Sequence, residues 1–375
     1  MPQPRTHLPI PSAARTGLIT YDAKDPDSTY PPIEQLRPPA GAPNVLLILL
    51  DDVGFGASSA FGGPCRTSTA ELLAGNGLRY NRFHTTALCS PTRQALLTGR
   101  NHHSAGMGGI TEIATGAPGY SSVLPNTMSP IARTLKLNGY NTAQFGKCHE
   151  VPVWQTSPAT PVEVNRTPEE GYHFMADMTD KALGWIGQQK ALAPDRPFFV
   201  YFAPGATHAP HHVPREWADK YRGRFDVGWD ALREETFARQ KELGVIPADC
   251  QLTARHAEIP AWDDMPEDLK PVLCRQMEVY AGFLEYTDHH VGRLVDGLQR
   301  LGVLDDTLVF YIIGDNGASA EGTINGTYNE MLNFNGLADI ETPRFMTDRL
   351  DKLGACDGYP LSVDQTSGLA LGWHA

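Results

Sequence analysis

The chain has 375 residues, of which 41% are hydrophobic and 20% charged, so it can bury a sizeable core and is not a disordered polymer. At roughly 150 residues per domain, this length fits two or three domains or one large α/β domain. Its 43 acidic and 31 basic residues give a net charge of −12, which argues against nucleic-acid or anionic-membrane surfaces because these need clustered lysine and arginine. A small anionic substrate in a local basic pocket stays compatible with this charge.

The sequence gives no sign of a membrane span or of a disulfide framework. The longest apolar run, residues 45–50, is far shorter than the ~20 residues that a bilayer requires. Residues 1–17 lack the apolar stretch of a secretory signal. The six cysteines are widely spaced without a C-x-x-C pair, which predicts neither a zinc cluster nor a disulfide scaffold. We therefore expect a cytoplasmic protein, with a periplasmic or secreted form as the alternative.

In chain order, the elements predict an extended arm followed by one α/β domain. Residues 1–43 are rich in proline and form the arm, and residues 44–375 form the domain. Unbroken apolar runs typical of strands buried on both faces are VLLILL after Asn44, FFVYFA after Pro197 and LVFYII after Thr307. Helical spacing lies at residues 69–78, 94–99, 130–140 and 276–301. This alternation predicts a doubly wound, mostly parallel sheet with helices on both faces. The polar, loop-rich segment 213–270 is expected to cover the sheet.

Two of the predicted strands end in matched polar pairs. Asp51 and Asp52 follow the first strand, and Asp315 and Asn316 follow the last. Open α/β sheets bind ligands beyond the carboxyl ends of their strands, and oxygen ligands favour Ca²⁺ or Mg²⁺ over zinc. The alternative is that these residues cap helices or form Asx turns. Because two strands share the pattern, we predict a metal site.

A cysteine precedes a predicted helix. Ser90 is a natural N-cap, Pro91 suits the first helical position, and Gly99 ends the helix. Cys89 would then lie at a helix N-terminus, which favours anions, with Arg93 on the first turn. The alternative is a small buried thiol beside a structural arginine.

The run C-S-P-T-R at residues 89–93, followed by L-L-T-G-R at 96–100, resembles the C-x-P-x-R signature of type I sulfatases. Other motifs occur in the same chain order as in that family. They are the polar pairs after the two strands, G-K-C-H at 146–149 and T-H-A-P at 207–210. The sequence is similar to bacterial arylsulfatases over about residues 44–375. The resemblance implies an alkaline-phosphatase-like fold and hydrolysis of sulfate esters, with aryl sulfates as the expected substrates.

The resemblance also implies a modified nucleophile. In such enzymes the signature cysteine, here Cys89, is oxidised to formylglycine (3-oxoalanine), whose hydrate attacks sulfur. A formylglycine-generating enzyme would read Cys89-Ser90-Pro91-Thr92-Arg93, and Arg93 would also steady the hydrate. One Ca²⁺ per chain would be held by Asp51, Asp52, Asp315, Asn316 and the modified Cys89.

Further site residues follow from the same resemblance. Lys147 and His149 match a pair that contacts sulfate and the formylglycine. His208 matches the residue that contacts the bridging oxygen, with His211 as the nearby alternative. The run D-H-H at residues 288–290 suits the surface of the long helix better than a metal site.

Two departures from the family leave alternatives open. After Asn316 the only lysine in the sequence is Lys352, whose context does not match the family's second sulfate-binding lysine, and the small C-terminal domain of the family is expected to be absent. The competing interpretations are a phosphonate or phosphate monoester hydrolase of the same superfamily, and a truncated, inactive sulfatase-like protein that retains anion or metal binding.

Overall fold

The computed structural model describes residues 16–30, 35–149, 170–318 and 323–354, without the side chains of residues 333 and 334. The strands in these ranges are β1 (Asn44–Leu49), β2 (Asn141–Gly146), β3 (Phe198–Ala203) and β4 (Thr307–Ile312). The α-helices are α1 (Ser68–Gly75), α2 (Cys89–Thr98), α3 (Ile131–Lys136), α4 (Phe174–Leu192), α5 (Arg215–Asp219), α6 (Gly228–Glu242), α7 (Lys270–Arg300), α8 (Glu330–Phe334) and α9 (Pro343–Thr347).

The four strands form one sheet in the order β2-β3-β1-β4, and every neighbouring pair is parallel. The register places Leu49 beside Ile312, and Gly146 beside Ala203. The strands therefore end at one edge, where the loops after them meet. The predicted parallel α/β sheet is confirmed.

Helices cover both faces of the sheet, as predicted, because the unbroken apolar strands present side chains on either side. On one face Leu46 and Val200 belong to the main core, which includes residues of α4 and α7. On the other face Leu49 and Tyr201 pack with Leu97 of α2, and residues of α3 lie against this smaller cluster. The central strands β1 and β3 are thus held between two apolar layers, and the polar side chains considered below lie at the strand ends and in the loops after them.

Two expectations from the sequence differ from the structure, and the expected arm is described in part. β2 was not among the predicted strands, because its sequence NTAQFG is polar and half-exposed and gives no apolar run. Segment 213–270 is less loop-rich than expected, since it contains α5 and the 15-residue helix α6, whose residues are mostly polar. Within the described part of the expected arm, residues 16–30 and 35–43 form no helix or strand. The rest of the arm lies outside the described residues.

None of the helices in the described ranges is long and apolar enough to cross a membrane.

Candidate active site

The polar pairs after β1 and β4 meet at the shared edge. The backbone N–H of Asp52 donates to Asp315 Oδ1 at 3.3 Å, and Asn316 Nδ2 donates to Asp52 Oδ1 at 2.7 Å. Asp51 and Asp315 are fully buried. Asp52 has a φ of 55°, a left-handed conformation that is uncommon outside glycine and is found more often at functional sites. The four residues predicted to hold a metal therefore form one cluster, in which the three aspartates are buried and Asn316 is partly exposed.

The helix that carries the cysteine begins two residues earlier than predicted. α2 starts at Cys89 with Leu88 as its N-cap, so the prediction of Ser90 as N-cap is wrong. The approach to the helix is fixed instead by Thr92, whose hydroxyl oxygen accepts the N–H of Thr86 at 2.9 Å. The helix ends at Gly99 with a φ of 62°, as predicted. Burial raises the pKa of the Cys89 thiol to about 11, so the unmodified thiol is protonated at neutral pH and is a weak nucleophile.

Arg93 links the helix to the acidic cluster. Its guanidinium is fully buried, donates from Nε to Asp315 Oδ2 at 2.8 Å, and lies 3.4 Å from Asp51 Oδ1 through Nη2. Nη1 donates to the hydroxyl of Tyr201 on β3 at 3.2 Å. Because removing a buried charge from water is unfavourable unless it is paired, this arrangement compensates the two carboxylates and fixes α2 against the strand ends.

Lys147 reaches the cluster from β2. The preceding Gly146 has a φ of 96°, and a Cβ there would lie 2.1 Å from the carbonyl oxygen of Ala203, so the turn requires glycine. Lys147 Nζ donates to Asp51 Oδ2 at 2.6 Å. Burial opposes the charge of Lys147, but the carboxylate of Asp51 outweighs it and raises the pKa of the ammonium above its ordinary value. The side chain therefore stays cationic beside the cluster.

His149 connects Cys89 with an acid that the sequence analysis missed. Its Nδ1 lies 3.1 Å from Cys89 Sγ, and its Nε2 lies 2.7 Å from Oε1 of Glu112. Glu112 belongs to the 3-10 turn Thr111–Ile113, which is 37 positions from His149 in the chain. No spacing rule links residues so far apart, and the sequence offered no signal for this pair.

The structure distinguishes the two histidines left open by the sequence. His208 Nε2 lies 3.6 Å from Asp52 Oδ2, whereas His211 is 4% exposed with its ring centroid 5.6 Å from that of Tyr280. Burial would lower the pKa of His208, but the charges of Asp52 and Asp51 and the carbonyl of Ala209 together outweigh burial and raise the pKa above its ordinary value. His208 thus borders the acidic cluster, and His211 packs in the core.

The cluster contains side chains that could hold a metal ion. Ligand atoms of Asp51, Cys89 and Asp315 all lie within 4.8 Å of one another. Asp51 Oδ1 and Asn316 Oδ1 are buried and accept no hydrogen bond from the described residues. Burial and the charge of Asp51 raise the pKa of Asp315 to about 7, the effect expected where buried carboxylates lie close together. Oxygen-rich sites of this kind suit Ca²⁺.

The parallel sheet and its polar edge define an α/β domain of the alkaline-phosphatase-like fold. A Bacteroides fragilis protein described as a sulfatase has a similar fold, with a TM-score of 0.51 at 18% identity over 79% of this chain and 67% of that one. The chain belongs to the sulfatase family, whose family model matches residues 43–348.

Two relatives illustrate the distance within this family. An arylsulfatase of Klebsiella aerogenes is 29% identical over 74% of this chain and 66% of its own length. An uncharacterised sulfatase of Schizosaccharomyces pombe is 31% identical over 75% of this chain and 58% of its own length. The chain therefore spans about three fifths to two thirds of these relatives.

Proposed function

We propose that this protein hydrolyses sulfate esters, with aryl sulfates as its substrate class, using one Ca²⁺ and a formylglycine formed from Cys89. The observation that carries the proposal is the position of Cys89 Sγ among the ligand atoms of Asp51 and Asp315, at the edge where the strands end. Membership of the sulfatase family and similarity to an arylsulfatase support the same activity.

The residues that would hold the cation are Asp51, Asp52, Asp315 and Asn316, together with the modified residue 89. The buried oxygens of Asp51 and Asn316 that accept no hydrogen bond within the described residues fit this role. When bound, Ca²⁺ supplies positive charge that offsets the negative charge of a sulfate group and favours ionisation of a neighbouring hydroxyl.

A hydrated aldehyde at residue 89 supplies two hydroxyl groups, one to attack sulfur and one whose deprotonation later releases sulfate. Sγ of Cys89 marks where one of these oxygens would lie. His149 Nδ1, 3.1 Å from Sγ, is placed to accept a hydrogen from an oxygen at that position.

Three cationic side chains of the site have separate roles in the proposed reaction. Lys147 stays protonated beside Asp51 and would bind a sulfate oxygen. Because the pKa of His208 is raised, its imidazolium is available to protonate the leaving oxygen of the ester. Arg93 is engaged with Asp51 and Asp315 and would steady residue 89 by holding α2 in place.

The motif at residues 89–93 fits recognition by a formylglycine-generating enzyme during synthesis. All five of its side chains are buried at the start of α2. An enzyme that reads these side chains would need access to them before the domain closes around the helix, so we propose that the modification occurs before or during folding.

The proposal is tested by expressing the chain with a formylglycine-generating enzyme, with a Cys89→Ala variant as the matched control. Mass spectrometry of the peptide that contains residue 89 is expected to show an aldehyde in place of the thiol. Release of phenol from a chromogenic aryl sulfate is expected in calcium and is expected to fall in chelator. An unmodified thiol without turnover would refute the proposal, and faster turnover of a phosphonate monoester would favour a phosphonate hydrolase.

A further inference from the structure

Three side chains form a continuous line from the surface to the site. Glu112 is 60% exposed, His149 is 19% exposed, and Cys89 is buried. Both carboxylate oxygens of Glu112 lie close to His149 Nε2, at 2.7 and 2.8 Å, and Nδ1 of the same ring lies 3.1 Å from Cys89 Sγ. The imidazole therefore bridges an acid and the residue that the proposed function makes the nucleophile.

The acid determines which ring nitrogen carries hydrogen. An ionised carboxylate only accepts hydrogen bonds, so the short contacts place the hydrogen of a neutral ring on Nε2. Nδ1 then carries a lone pair that faces residue 89. Burial would raise the pKa of Glu112, but its interactions with His149, Thr111 and the local backbone together outweigh burial and hold the pKa below its ordinary value, so the carboxylate is ionised at neutral pH.

The position of Glu112 is itself supported locally. It lies in the turn Thr111–Ile113, and the hydroxyl of Thr111 donates to Glu112 Oε2 at 3.0 Å. A polar contact between partly exposed side chains contributes little to stability, so the stability of the fold gives no reason for this contact. Partners of this kind matter where they fix the tautomer and orientation of a histidine that acts on a reacting group.

We propose that Glu112 is a positioning residue that fixes the tautomer and orientation of His149, so that Nδ1 accepts the hydrogen of a hydroxyl on modified residue 89. The role in turnover rests on the proposed function. The coupling between Glu112 and His149 is a property of the chain itself and is measurable on unmodified protein.

The first test measures the tautomer in the unmodified full chain, in which residue 89 remains cysteine. Nitrogen-15 NMR of the His149 ring is expected to show hydrogen on Nε2 and a lone pair on Nδ1. Glu112→Ala is expected to give a mixture of tautomers, whereas Glu112→Gln keeps a carbonyl acceptor and is expected to retain the original tautomer. An unchanged His149 spectrum in Glu112→Ala would overturn the proposal.

The second test uses the formylglycine form and an aryl sulfate. Glu112→Ala is expected to lower kcat about 10- to 100-fold with KM changed less than about twofold, and Glu112→Gln is expected to recover most of kcat. The control is Glu258→Ala, which removes an exposed glutamate lying 4.0 Å from another histidine, His256, and is expected to leave both constants unchanged. Wild-type kcat in Glu112→Ala, or a change in KM alone, would refute the positioning role.

The two tests separate this inference from the proposed function. If the wild-type chain carries formylglycine and turns over sulfate esters while Glu112→Ala behaves like the wild type, the inference alone fails. If the wild-type chain has no turnover, the proposed function fails, and the NMR measurement decides whether Glu112 controls the His149 ring.

Discussion

Buried side-chain oxygens in two regions of this protein have different hydrogen-bond partners. Asp288 in α7 accepts the backbone N–H groups of Thr69 at 2.7 Å and Ala70 at 3.1 Å, and the hydroxyl of Tyr311 donates to it at 3.2 Å. At the site, by contrast, Asp51 Oδ1 and Asn316 Oδ1 are buried and accept no hydrogen bond from the described residues, although Asp51 Oδ2 accepts one from Lys147.

The difference separates an acid that links two helices from the side chains for which we propose a metal-binding role. Asp288 lies at the N-terminus of α1, where unpaired N–H groups and the helix dipole favour a negative charge, so it links two helices. Burial raises its pKa to about 6, in the same direction as that of Asp315. A raised pKa therefore does not identify the active site by itself, whereas the buried Oδ1 atoms of Asp51 and Asn316 fit the cation-binding role proposed for them.

The largest effect is expected from Cys89→Ala at the site. Loss of the proposed nucleophile should lower the release of sulfate by at least about 10³-fold, because no other group replaces a covalent nucleophile. The melting temperature should stay close to that of the wild type, since only a sulfur atom is removed. The measurement is an aryl-sulfate assay with a thermal melt of the same samples, and wild-type turnover would contradict the assignment.

Substitution of Asp288 should lower stability and leave turnover unchanged, the reverse of the result expected for Cys89→Ala. Asp288→Ala is expected to lower the free energy of unfolding by about 2–4 kcal/mol, because two backbone N–H groups at the start of α1 lose their acceptor. Turnover per folded molecule should be unchanged. Urea unfolding measures the loss.

The matched control for that experiment is Asp296→Ala, an exposed acid on the same helix, which should change the unfolding free energy by less than about 0.5 kcal/mol. Equal stability of the Asp288 and Asp296 variants would show that the contacts of Asp288 with α1 contribute no stability.

Calcium should stabilise the protein by binding at the candidate active site, without a contribution from Asp288. At about 100 times its dissociation constant, calcium is expected to raise the free energy of unfolding of the wild type by about 2.7 kcal/mol. Asn316→Ala removes an oxygen proposed as a ligand and should lose most of this gain, while Asp288→Ala should keep it. Thermal melts with calcium and with chelator measure the effect, and an equal gain in Asn316→Ala would exclude Asn316 as a ligand.

The smallest effect concerns the pH dependence that Asp288 contributes. Its pKa of about 6 in the folded state lies above the ordinary value of 3.8, so the folded state binds the proton more tightly. The stability of the wild type relative to Asp288→Asn should therefore rise as the pH falls from about 7 to about 4, by on the order of 1–2 kcal/mol. Urea unfolding across this range measures the difference, and a difference that grows with rising pH would have the wrong sign.

Much of the fold was predictable because its signals are local. The apolar runs that became β1, β3 and β4 are contiguous in the sequence, and a run of that kind suits a strand buried on both faces. Parallel strands end at one edge, so the polar pairs after β1 and β4 were expected to meet, and the structure brings them together.

Features that depend on tertiary contacts could not be predicted from the sequence. β2 is polar and half-exposed, and its pairing with β3 rather than its composition makes it a strand. The expectation of a surface role for residues 288–290 is wrong for Asp288 and His290, which are buried. Their helix is covered on several sides by other helices, which a single helical pattern does not reveal.

The sequence by itself determined the parallel α/β class, the end of α2 at Gly99, and the residue types gathered at the strand ends. Tertiary structure decided which side chains lie near one another. It places His208 rather than His211 beside Asp52, and it brings Glu112 against His149. The physical reason is that periodicity and stop signals act over a few residues, whereas a side-chain contact depends on how distant segments pack.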